Sequence, residues 1–120
     1  MTFFDNYLTD EHRMVRDTCR RFAETEILPH AIEWEEAEYF PDELFKKAGD
    51  AGIIGAGFLE RHGGSGGGAM MNVMAIEGLM RGGSTGVSVG LGSAGIALPP
   101  IINAANEAQI ERYVKPTIAG

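Results

Sequence analysis

The 120-residue chain has one cysteine, Cys19, and only 10 lysines and arginines against 17 aspartates and glutamates. A single thiol cannot form an internal disulfide, so nothing in the fold depends on an oxidising compartment. The net charge of −7 leaves no basic stripe for a phosphate backbone, and no nucleic-acid partner is expected. His12, His30 and His62 lie far apart without ligands at metal spacing, so no metal site is expected. The start, MTFFDNYLTDEHR, lacks the basic and apolar regions of a signal peptide and is too acidic for a transit peptide; a cytoplasmic location is expected.

Charge is missing altogether from Gly82 to Asn106, a run of 25 residues without Asp, Glu, Lys, Arg or His. Its length alone would span a bilayer. Glycine and serine crowd it, however, and Pro99-Pro100 sits near its end, so its transfer energy falls well short of a Leu/Ile/Val segment. The expectation is a buried helix pair, with no membrane span.

What is present reads as a soluble globular domain: 44% apolar and 22% charged residues, in a length that makes residues 1–120 a single domain with a real core. Thr9 caps a helix whose first turn carries Asp10 and Glu11 and whose inner face is Val15, Cys19, Phe22, Ala23 and Ile27. Pro29 should kink or end it, with resumption to about Glu36. Pro41 suits the start of a second helix, with Leu44, Phe45, Ala48 and Ala51 inside and Gly52 as left-handed terminator. A glycine-rich loop follows, with a short extended piece at Ile53 to Phe58. A third helix from Met70 to Arg81 is apolar on nearly every side, which places it in the interior. Ser84 or Thr85 caps a fourth, running to Leu98, where Pro99-Pro100 forces a break before a short turn PIINAA. Asn106 and Gln109 form a capping box for a last helix through Tyr113, with Pro116 restarting or ending it. No paired strands are evident, so the fold class is all-α, a bundle of about five or six helices.

The stretch GVSVGLGSAG, Gly86 to Gly95, contains the spelling G-x-G-x-x-G at Gly90, Gly92 and Gly95. A dinucleotide-binding turn needs a strand before it, an unbroken helix after it and an acidic strand end about 20 residues on. Here Pro99-Pro100 interrupts too soon and Glu111 lies in a helical pattern, so the nucleotide reading fails. Inside a helix, each of these glycines costs on the order of 1 kcal/mol relative to alanine. Either close helix packing offsets that cost, since small residues four apart let backbones approach, or a ligand does. Ser88, Gly92 and Ile96 are spaced i, i+4, i+8 and would share one face with room beside Gly92 for an apolar chain. Periodicity leaves both open. The cluster RHGGSGGG, Arg61 to Gly68, lacks the Lys-Ser/Thr of a P-loop and reads as a connection, flexible or tight. Met70, Met71, Met74 and Met80 read as core filler, and Glu33, Glu35, Glu36 and Glu38 as a solvated face without paired catalytic carboxylates.

Taken in order, LTDEHRMVRDTCRRFAETEILPHAIEWE, FPDELFKKAGDAGIIG, LERHGG, IEGLMRGGSTGVSVG and QIERYVKPTIAG resemble the N-terminal helical domain of the flavin-dependent acyl-CoA dehydrogenases over nearly the whole chain. The resemblance implies one domain of a longer three-domain oxidoreductase of fatty acid metabolism that binds FAD and removes hydrogens from the α and β carbons of an acyl-CoA. It places the catalytic base and most flavin contacts in the other two domains, so no catalytic residue is expected here. It implies an electron-transferring flavoprotein or similar acceptor, and a homo-oligomer, commonly a tetramer. It assigns Ser88, Val89, Gly92 and Ile96 to the wall of the acyl-tail pocket, and thereby favours the ligand account of the glycines. Small residues at positions 88 and 92 imply a deep or wide pocket for long or branched chains. The competing class is a non-catalytic helical binding or assembly module that keeps this fold without the chemistry.

Overall fold

The structure, a computed structural model, describes residues 3–120. After a 3-10 turn at Phe3–Tyr7, tied down by the Asp5 carboxylate on Arg16 at 2.7 Å, the chain enters α1, Asp10–Phe22. Thr9 caps it as expected: its hydroxyl accepts from the His12 amide, and His12 Nδ1 accepts from the Thr9 amide. Pro29 does not end the rod. A π-turn at Ala23–Ile27 and a 3-10 turn at Leu28–His30 carry it directly into α2, Ala31–Ala37. The wide turn immediately before the proline gives its ring room that a regular α-helix lacks.

Helix α3, Glu43–Asp50, buries Leu44 and Ala48 and ends at Gly52 in the left-handed region at φ 75°. Ala51, expected on the inner face, is exposed. The connection to α4 is tight. Ala56 and Gly66 form a parallel bridge, the Gly66 amide donates to the Phe58 carbonyl at 2.8 Å, and Ser65 Oγ donates to the Gly52 carbonyl at 3.0 Å. A Cβ on Gly64 would stand 2.2 Å from the Phe58 carbonyl oxygen, so only glycine closes this loop.

Helix α4, Gly68–Leu79, crosses α1 so closely that a Cβ on Gly78 would lie 2.5 Å from the Arg16 carbonyl oxygen and 2.6 Å from Cys19 Cβ. Its other side departs from expectation: Met70, Val73, Ile76 and Met80 are exposed, so a helix apolar all round is only half interior. The overall extents, 40 × 40 × 20 Å, explain this. A thickness of about two helix diameters leaves most helices with one uncovered face.

Helices α5, Thr85–Gly92, and α6, Ala94–Ala104, form one long rod. The break expected at Pro99-Pro100 lies instead at Ser93. There the Ser93 hydroxyl and amide both turn back to the Gly90 carbonyl, at 2.8 and 3.2 Å, which tightens and bends the helix locally. The prolines cannot donate to the carbonyls of Gly95 and Ile96 one turn earlier, but both are exposed, where water can take those acceptors. The chain ends in α7, Glu107–Gln109, held by the expected Asn106/Gln109 box, a π-turn at Ile110–Val114, and α8, Lys115–Ala119. Counting each continuous rod once gives an all-α bundle of five helices, with no strand among the described residues. Cys19, Ala23, Ile27, Ala48, Val114 and Ile118 lie at its core.

Candidate functional site

The α5–α6 rod is positioned from its start by α2. Glu38 ends α2 in the left-handed conformation at φ 52°, and this reversal brings Phe40 back beside Trp34, with ring centroids 6.2 Å apart. Phe45 of α3 backs the Phe40 ring at 5.4 Å. Ser84, only 1% exposed, is the N-cap of α5: its Oγ accepts from the Val87 amide at 3.1 Å and donates to the Glu35 carboxylate. The carboxylate thus sits at the positive end of α5, the sign that suits the helix dipole.

The glycines of α5–α6 divide into two kinds. A Cβ on Gly90 would lie 2.8 Å from Phe40 Cε1 and Cζ, and one on Gly86 would lie 3.1 Å from Glu35 Oε1. Those two, one turn apart, serve close packing. A Cβ on Gly92 or Gly95 would meet nothing within 4 Å. Packing therefore offers no reason for these two, each on the order of 1 kcal/mol worse than alanine within a helix.

The residues assigned to the pocket wall separate accordingly. Val89 and Ile96 are 62% and 79% exposed and flank the open position at Gly92, so these three share one outward face. Ser88 does not join them. It is buried, and its hydroxyl donates to the Ser84 carbonyl at 3.0 Å, on the side of the rod turned to the core. Steps of four residues drift about 40° each on a helix, so Ser88 stands about 40° from Gly92 and about 80° from Ile96, at the edge of the face where the rod meets the core. The rod is also not the buried pair expected of it. Thr85–Ala104 is long and apolar enough to cross a membrane by length and composition, with a mean hydropathy of 1.4, and only 22% of that window is buried.

Chemically this face can shape an apolar volume and exclude water. No titratable side chain lies between Gly82 and Asn106, so it cannot transfer a proton. Among the described residues no buried side-chain polar atom lacks a hydrogen-bond partner. Sequence reasoning missed Glu35 and Phe40, which hold the rod. Their only signal was the i, i+4 spacing of Gly86 and Gly90, which pointed to a close neighbour without naming it.

The family model for the acyl-CoA dehydrogenase N-terminal domain matches residues 9–120. The chain belongs to that family. It is 34% identical to the long-chain specific acyl-CoA dehydrogenase of mouse mitochondria over 93% of its own length and 26% of that protein's. It is 37% identical to the short-chain specific acyl-CoA dehydrogenase of Clostridium acetobutylicum, over 97% of this chain and 31% of that protein. The structure of butyryl-CoA dehydrogenase from Megasphaera elsdenii superposes with a TM-score of 0.80 at 31% identity, covering 93% of this chain and 30% of that one. This acyl-CoA dehydrogenase domain therefore spans about a third or less of the relatives it matches. Long-chain and short-chain enzymes resemble it to nearly the same degree.

Proposed function

We propose that this domain walls the acyl-tail pocket of a longer FAD-dependent acyl-CoA dehydrogenase, with Val89, Gly92 and Ile96 on the wall. The observation that carries the proposal is the open, charge-free face at Gly92, between two exposed aliphatic side chains on a rod fixed by α2. Ser88 contributes from behind that face, as a small residue whose hydroxyl is already bonded. In this reading an acyl tail covers the face, and the missing side chain at position 92 leaves length for a long or branched chain. The domain supplies shape and dryness. FAD, the catalytic base and the contact with an electron-transferring flavoprotein belong to the rest of the proposed enzyme, read as a cytoplasmic homo-oligomer.

The test is Gly92→Phe in the full-length enzyme. Each buried methylene is worth about 0.8 kcal/mol, so a ring that displaces two or three of them should lower kcat/KM on long acyl-CoAs roughly 15- to 50-fold relative to short ones. An unchanged chain-length profile would remove Gly92 from the wall.

A further inference from the structure

The two glycine pairs are on one rod, and this has a consequence for specificity that rests on the wall reading above. Helix α5 is fixed at its first turn, where Glu35 holds the Ser84 hydroxyl and lies against Gly86. One turn later it leans on Phe40, whose ring edge occupies the place a Gly90 side chain would take. Phe40 in turn is wedged between Trp34 and Phe45, on α2 and α3, and is itself only half-buried. Gly90 and Gly92 are two residues apart, on different sides of the same rigid turn. Any displacement at Gly90 is therefore carried to Val89 and Gly92.

We propose that Phe40 is a positioning residue for acyl-chain length: by setting how far α5 stands from the α2–α3 connection, it sets the depth of the pocket whose wall α5 carries. Glu35 is the pivot about which that displacement occurs. Phe40 never touches the tail. It acts through Gly90, and the bulk at position 40 and the absence of bulk at position 90 are two halves of one spacing.

The experiment uses the full-length enzyme and compares kcat/KM on a series of straight-chain acyl-CoAs. Phe40→Leu lets the rod settle toward the connection and deepens the pocket, so the long-to-short ratio should rise about fourfold, the ratio that one added buried methylene gives, with the change in KM. Gly90→Ala pushes the rod off Phe40 toward the tail and should lower the ratio by a similar factor. The double variant Phe40→Leu/Gly90→Ala should return to the wild-type profile. If Gly90→Ala alone does not fold, Phe40→Leu and the double variant carry the test. The proposal is overturned if Phe40→Leu and the double variant change melting temperature, or kcat equally at every chain length, and Phe40→Leu leaves the long-to-short ratio unmoved while Gly92→Phe still shifts the profile; Phe40 is then only a packing residue and the wall reading stands. If Gly92→Phe leaves the profile unchanged, the wall reading fails and this proposal fails with it.

Discussion

Gly86 and Gly90, at the start of the α5–α6 rod, and Gly92 and Gly95, just beyond, are the same residue in the same element with opposite surroundings. The first two are occupied from outside by Glu35 and Phe40, so their lack of a side chain is explained within the domain. Nothing within the domain explains the second two. A glycine that a neighbour fills is a packing device, whereas a glycine facing open space on an apolar surface points to something outside the described structure.

A sharp test of the packed class lies where two long helices cross. Gly78 meets backbone, the Arg16 carbonyl oxygen and the Arg20 amide, as well as Cys19 Cβ. Gly78→Ala should destabilise the domain by about 3 kcal/mol, at the upper end for overpacking, because α1 and α4 must part to admit a methyl group. Chemical denaturation would show it as a lower midpoint. Gly90→Ala should cost less, about 1 kcal/mol, because a ring edge yields more readily than backbone and helix propensity returns part of the loss. The open class should respond with the other sign. Gly92→Ala and Gly95→Ala should each stabilise by about 0.5–1 kcal/mol, since the methyl group meets nothing and the unfolded chain loses freedom. Loss of stability at Gly92 or Gly95 would erase the distinction between the two classes.

Local signals were legible in the sequence. Thr9, Ser84 and the Asn106/Gln109 pair cap their helices because a cap is decided within three residues. What depended on distant chain was not. Glu35 is exposed, as its acidic neighbourhood indicated, but its bond to Ser84, 49 residues away, left no trace in the local pattern. The uncovered face of α4 could not be read either, because a helix apolar on all sides carries no periodicity to say which side is outward. The prolines at 99 and 100 announced a break that exposure to solvent made unnecessary, and the i, i+4, i+8 spacing put Ser88 on one face with Gly92 and Ile96, whereas the fold buries it.

The crowded crossing also carries a pH dependence. Burial pushes the Cys19 thiol from its ordinary 9.0 up to about 11. The folded protein keeps the thiol neutral while the unfolded chain ionises first, so stability is flat below pH about 9 and falls as pH rises from there toward about 11. Denaturation midpoints of wild type and Cys19→Ala should therefore converge over that interval, and the thiol should resist maleimide at pH 8 until the protein is unfolded. Rapid labelling of the folded protein would show that the α1–α4 crossing opens.

The central claim, that the open face of α5–α6 receives an acyl tail, is tested most directly by photolabelling the full-length enzyme with a long-chain acyl-CoA carrying a diazirine at the far end of its chain. Cleavage after Arg81 and Arg112 releases the whole rod in one peptide, since no lysine or arginine lies between them. The account predicts adducts in that peptide at Val89, Gly92 or Ile96, competed by unlabelled long-chain acyl-CoA. Competed adducts found wholly elsewhere in the enzyme, with this peptide unmodified, would contradict it.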